Sequence, residues 1–156
     1  MHKIVMFTLV AALATGVTAP TANAESHSFQ FLSPSGNVGC QMGAGAKPGS
    51  SFAWCTVKEH AWTAPQSPSC SLANIPGAIG EPGGEDLQLA EGKTPCFGFV
   101  MSQLFFEGQY APPTLGYGDQ RTAGSITCSV DPDGVTCADS KTYRSFTVSR
   151  DAYQLN

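Results

Sequence analysis

Six cysteines, at positions 40, 55, 70, 96, 128 and 137, constrain this chain more than any other feature. They all lie downstream of an N-terminal segment that reads as an export leader. Lys3 supplies a positive start, "IVMFTLVAALATGV" an apolar run, and Ala22-Asn23-Ala24 a small-residue cleavage signal. The run is shorter than the roughly 20 apolar residues a membrane span requires. Residues 1–24 are therefore expected to be a signal peptide cut after Ala24, and residues 25–156 a single exported domain with no membrane span. An even number of cysteines in an oxidising compartment predicts three disulfides. Six cysteines allow 15 pairings. Joining sequence neighbours is the simplest choice: Cys40 with Cys55, Cys70 with Cys96, and Cys128 with Cys137.

The last pair has its own local support. In "GSITCSVDPDGVTCAD", Ile126, Cys128 and Val130 alternate with Thr127 and Ser129, and Val135 and Cys137 alternate with Thr136 and Ala138. That is the period-2 pattern of a hairpin, with Pro132 and Gly134 suited to the turn. A two-residue loop places Cys128 opposite Cys137 in a non-hydrogen-bonded pair, where Cα atoms approach to about 4.5 Å. A bulge at Gly134 would instead slip the register by one and leave the cysteines diagonal.

Short strands and many turns are expected elsewhere too, because sixteen Gly and ten Pro fall after residue 24 and no stretch holds helical apolar spacing for long. "FQFLSPSGNVGCQM" reads as strand, turn, strand. In "SSFAWCTVKEHAW", Phe52, Trp54 and Thr56 alternate with Ala53, Cys55 and Val57. Residues 64–95 read as a long irregular excursion carrying one short strand, "DLQLA", and tethered by Cys70 and Cys96. "RSFTVSRDAYQL", with Phe146 and Val148 inward, closes the sheet. The expected fold is all-β, small and loop-rich: a single antiparallel sheet, a sandwich or a barrel-like domain stapled by three disulfides.

Composition excludes some partners. After the leader, seven Lys and Arg, never adjacent, face twelve Asp and Glu. Nucleic acid and anionic membrane surfaces need clustered cations, so neither is expected as a partner. The most apolar stretch, "CFGFVMSQLFFEGQYAPP", has two readings. It is core, as aromatic clusters commonly are, or it is an exposed contact patch with Phe99, Phe105, Phe106 and Tyr110 as its binding residues.

The segments "FLSPSGNVGCQM", "WCTV", "LGYGDQRTAGSITCSVDPDGVTCAD" and "SFTVSRDAYQL" together resemble a family of small exported actinobacterial proteins, common in mycobacteria. Its members share a Pro-Ser-Gly-Asn turn before a cysteine, a Leu-x-Tyr-Gly segment, an Ile-Thr-Cys hairpin and a terminal Phe-Thr-x-Ser-Arg strand. The resemblance covers most of the chain after the leader and implies a compartment and a disulfide plan, with no activity. This chain departs from it twice. It has "TYRSF" where such relatives tend to have Gly-His-Gly-Phe, and "CFGFVMSQLFFEGQY" where they tend to have a small polar segment.

Catalytic chemistry finds little footing. A nucleophile needs a base within hydrogen-bond reach, and His27 and His60 are the histidines left after the leader. His60 with a serine and Asp119 is the remaining hydrolase arrangement. No two cysteines are closer than nine positions, which disfavours both thiol catalysis and zinc. Asp131, Asp133 and Asp139 resemble part of a calcium loop, but the twelfth position is Thr142 in place of the bidentate Glu. Glu85 or Asp86 with Glu107 would be a pair for glycoside chemistry. No metal and no cofactor are expected. The reading is a secreted, monomeric, non-enzymatic domain that binds another protein or envelope component. The alternatives are a small envelope hydrolase using His60 and a structural envelope component.

Overall fold

A computed structural model describes residues 27–65, 70, 78–79, 84–100 and 111–156, with backbone alone at 78, 79, 99 and 100. Two antiparallel sheets pack face to face. The first contains β1 (His27–Leu32), β2 (Val38–Ala44), β3 (Phe52–Val57), β4 (Ala78–Ile79), β5 (Asp86–Ala90) and β6 (Cys96–Val100), in the order β1-β2-β3-β5-β6-β4. The second is a meander of β7 (Gln120–Ala123), β8 (Ile126–Asp131), β9 (Gly134–Asp139), β10 (Ser145–Val148) and β11 (Tyr153–Leu155). The expected all-β fold is thus a two-sheet sandwich.

Disulfides join Cys40 to Cys55, Cys70 to Cys96, and Cys128 to Cys137. The hairpin follows the two-residue loop, with Cys128 opposite Cys137 and Val130 opposite Val135. Gly134 closes that turn at φ +140°, and a Cβ there would lie 2.4 Å from the Val148 carbonyl oxygen. Cys40 faces Cys55 in the same manner on the other sheet. Cα separations of 4.1 and 4.0 Å suit side chains facing across non-hydrogen-bonded positions. The two bridges meet in the middle of the sandwich, where the sulfurs of Cys55 and Cys137 approach to 4.0 Å.

Around this sulfur centre the inward side chains alternate as a sandwich requires. Phe31, Met42, Ala53, Leu87, Leu89 and Phe97 come from one sheet, and Ile126, Val130, Val135, Phe146 and Val148 from the other. β3 departs from the expected alternation: Phe52 and Trp54, on its outer face, are buried as well. Cys70, held by its bridge to Cys96, donates its N–H to the Phe97 carbonyl at 2.8 Å and lies over Gly98 beside the buried Gln88. The tether therefore brings Cys70, from within the excursion, over the outer face of β6. "RSFTVSRDAYQL" likewise forms two strands, β10 and β11, because residues 149–152 close a turn between them.

The ends of the sandwich differ. At one end Asp139, fully buried, accepts hydrogen bonds from the Gly92 and Lys141 N–H groups at 2.9 and 3.0 Å and from the Thr142 hydroxyl at 2.9 Å. Ser51 donates to Glu91 at 2.8 Å and accepts from the Ser125 N–H at 3.2 Å, while Lys141 pairs with Glu91. These contacts latch the β5–β6 turn and the start of β3 to the turns of the second sheet.

Candidate functional site

The opposite end opens into a groove of about 710 Å³ built entirely from turns. The β1–β2 turn brings Ser35, Gly36 and Asn37, and the exit of β3 brings Lys58 and Glu59. Across from them stand Tyr117, the Asp131–Gly134 turn and Ser149–Asp151.

Each wall is held by hydrogen bonds to backbone atoms. Asn37 clamps the β3 exit: its Oδ1 accepts from the Glu59 N–H and its Nδ2 donates to the Glu59 carbonyl, both at 2.9 Å. Tyr117 sits at the tip of a turn closed by the Asp119 N–H to the Gly116 carbonyl, with the Asp119 carboxylate accepting from the Gly116 N–H at 3.0 Å. Gly118 takes φ +84° there, a conformation that glycine adopts without steric cost. The tyrosine ring is left 54% exposed. The Ser149–Ala152 turn is gripped from the first sheet, through the Ala61 N–H to the Arg150 carbonyl and Trp62 Nε1 to the Ser149 carbonyl, both 2.9 Å.

The groove's charges stand apart from one another. Two cations, Lys58 and Arg150, and four carboxylates, Glu59, Asp131, Asp133 and Asp151, line it. Among the described residues the ion pairs are His60–Glu85 and Lys141–Glu91, and neither lies in the groove. A polar concavity with unpaired charges of both signs and an exposed aromatic ring can bind by hydrogen bonds, ion pairs and stacking. Among the described residues its serine hydroxyls meet one another or backbone, with none held by a histidine or carboxylate.

The candidate catalytic groups are placed elsewhere. His60 stacks on Trp62 with ring centroids 4.0 Å apart, its Nδ1 lies 2.7 Å from the Trp62 carbonyl oxygen, and its Nε2 lies 3.1 Å from Glu85. The Asp119 carboxylate is turned to Gly116, so the structure does not join His60 and Asp119 in one array. The three aspartates of the calcium-like motif are also separated. Asp131 and Asp133 line the groove, and Asp139 is buried at the latch, because β9 spans the sandwich between them. Beside the latch, Ser51, Ser125 and Lys141 line a recess of about 380 Å³. The hydrogen bond and charge of Glu91 push the Lys141 ammonium above its ordinary value, so it is held protonated and is no base for those serines.

Of the aromatic contact patch, Phe99 lies on β6 with its side chain undescribed, and Phe105, Phe106 and Tyr110 lie outside the described residues, as does Glu107. Phe97 at the start of that stretch is core, packed edge-on against Tyr153 with centroids 4.8 Å apart. The signal peptide also lies outside the described residues. Sequence reasoning found two of the groove's turns, at 34–37 and 131–134, but neither the Tyr117 turn nor the 149–152 turn, and not their meeting. The available signal was that "PSGN", "GYGD", "DPDG" and "SRD" each combine a breaker or turn former with a charge or an aromatic ring.

Comparison with protein-family models, with curated proteins and with solved structures finds no match to this chain.

Proposed function

We propose that this chain is a secreted, non-enzymatic binding domain whose turn-built groove engages another macromolecule in the cell envelope or outside the cell. The observation that carries this reading is the set of unpaired groove charges around the exposed ring of Tyr117. Charged side chains left without partners add nothing to folding, whereas charge complementarity across an interface confers specificity and speeds association. Tyrosine is enriched at interfaces for its large, rigid contact area. The segments that carry the family resemblance supply Asn37, Tyr117, Asp133 and Arg150 to the same concavity. The separation of His60 from Asp119 supports a role without catalysis. Three disulfides, and no helix among the described residues long and apolar enough to cross a membrane, are compatible with secretion. The groove carries the reading independently of the Phe99, Phe105, Phe106 and Tyr110 segment.

The test places a photo-crosslinking amino acid at Tyr117 and, separately, at Tyr143, which is 85% exposed at the latch end. Irradiating the exporting cells should give a discrete adduct from position 117 and none from 143. Equal labelling at both positions, or no adduct at 117, would sink the proposal.

A further inference from the structure

Two antiparallel sheets have four edges, and among the described residues the edge strand β1 is the longest of the four, at six residues. Leu32 turns its backbone away from β2: its N–H donates to the Pro113 carbonyl at 3.0 Å and its carbonyl accepts from the Leu115 N–H at 2.9 Å. In an antiparallel ladder alternate residues face the same way, so Ser28 and Gln30 also direct N–H and C=O away from β2. The parallel bridge between Leu32 and Thr114 cannot extend to Gln30. The group that should bond the Gln30 carbonyl is the N–H of residue 113, which is proline and has none. Among the described residues, the backbone groups of Ser28 and Gln30 find no backbone partner beyond the sheet.

Among the described residues this edge lacks the usual protection. β1 reads His-Ser-Phe-Gln-Phe-Leu, six residues without Lys, Glu, Asp, Pro or Gly, whereas the β7 edge is four residues long and carries Arg121. Exposed edges of the first kind are templates for pairing. Phe29, partly buried against the core, leaves apolar surface at the same margin.

We propose that β1 pairs antiparallel with β1 of a second copy of this chain about a two-fold axis at Phe29. The pattern is self-complementary. Ser28 of one copy exchanges both backbone hydrogen bonds with Gln30 of the other, and reciprocally, as a two-fold interface requires. The two Phe29 residues then face each other at a non-hydrogen-bonded position on the core side, where cross-strand aromatic pairs stabilise a sheet. On the outer face, Gln30 already donates to Gln41 at 3.0 Å, and the added strand extends that polar row. A second copy fits better than continued pairing with this chain's own 111–113 segment, since Pro113 blocks it. Pairing stops at His27, because its next position would meet the 113–115 segment beside Leu32 of the other copy. The proposal departs from the monomer expected from sequence.

The test is sedimentation of the purified chain from about 10 μM to about 1 mM, the range in which weak interfaces populate. The average mass should rise toward twice the monomer value. Ser28→Pro removes the outward N–H without touching a β1–β2 bond, a position where edge strands tolerate proline, and should stay monomeric. Ser28→Ala keeps the N–H and should behave as the parent. Should Ser28→Pro fail to fold, the paired change Ser28→Glu with Gln30→Glu sets like charges opposite each other and should also abolish the dimer. A parent monomeric at about 1 mM, or a folded Pro or double-Glu variant that dimerises like the parent, overturns the proposal. Neither result bears on the groove, whose readout is at Tyr117.

Discussion

The two ends of the sandwich are made of the same material, polar turns between short strands, and use it in opposite ways. At the latch end Asp139 and Glu91 are enclosed by donors, of which Gly92 reaches Asp139 and Lys141 reaches Glu91 from the facing sheet. At the groove end Lys58, Arg150, Asp131 and Asp133 stand without ion-pair partners among the described residues. The difference lies in what each turn reaches. Gly92 and Ser51 reach across to Asp139 and Ser125, so charge there is spent on joining the sheets. Across the groove the sheets are joined by backbone carbonyls and the Trp62 indole, which leaves the side chains uncommitted.

The largest expected effect comes from breaking the latch. Asp139→Ala removes the acceptor for two backbone N–H groups and a hydroxyl in a buried site. Leaving such groups unpaired costs about 1 to 3 kcal/mol each, and part of that is recovered where the turns reach water. The expected loss is about 3 kcal/mol in urea denaturation, within the range that such named defects produce. The same residue predicts an acid response. Burial pushes the Asp139 carboxyl upward but is outweighed by the hydrogen bonds from Gly92 and Lys141, and the net direction is downward from 3.8. At Glu91 the hydrogen bonds from Lys141 and Ser51 push the carboxyl down from 4.5. A depressed carboxyl contributes fully above its unfolded value and loses that contribution as pH falls through the folded one. Stability should therefore hold near neutrality and fall as pH drops through and below 4.5 and 3.8. Asp139→Asn should flatten the lower part of that fall; an unchanged profile would mean that Asp139 is no part of the latch.

How much of this was legible in the sequence follows from the range of each interaction. The 126–139 hairpin was fully legible, because alternation, turn chemistry and the cysteine pair are local and agree. The pairing of Cys40 with Cys55 was legible only as the choice of sequence neighbours able to tie two strands, the choice the structure bears out. The outer-face burial of Trp54 and Gln88 was not legible, since alternation marks one face of a strand as core, and the bridge that carries Cys70 back over Gly98, beside Gln88, is long-range. Among the described residues their side-chain polar atoms have no hydrogen-bond partner, so no polar pairing in the sequence could have announced them. Asp139 was read as a possible metal ligand because its real partners, Gly92 and Thr142, are ordinary residues that only the sandwich brings near it. The groove was legible only in its 34–37 and 131–134 turns and illegible as a site, because its walls come from five segments spread between residues 33 and 151.

A smaller effect should come from Asn37, which is the structural exception within the groove. Its side chain makes two hydrogen bonds to Glu59, both solvent-exposed. Since water replaces exposed partners, Asn37→Ala should cost about 1 kcal/mol, well below the latch variant. A cost equal to that of Asp139→Ala would show that the groove end, too, is held by side chains, and the contrast between the ends would narrow.

The smallest effects on stability belong to the groove's free side chains, and that smallness is what makes them informative. Arg150→Ala, Asp133→Ser and Tyr117→Ala remove groups for which no ion pair is formed among the described residues, while the turns that carry them are fixed by main-chain bonds that the substitutions leave in place. Each should shift unfolding by no more than about 0.5 kcal/mol, as surface changes away from structural features do. Conserved stability then isolates recognition. With a crosslinking residue moved to Ser35 on the facing wall, Arg150→Ala and Tyr117→Ala should each reduce adduct formation severalfold in a protein that melts as the parent does. Unaltered adducts would leave those side chains without a role in binding. A loss of 2 kcal/mol or more, on the order of a buried hydrogen-bonding defect, would mean that the groove charges serve folding as those of the latch do, and the division of labour between the two ends would be gone.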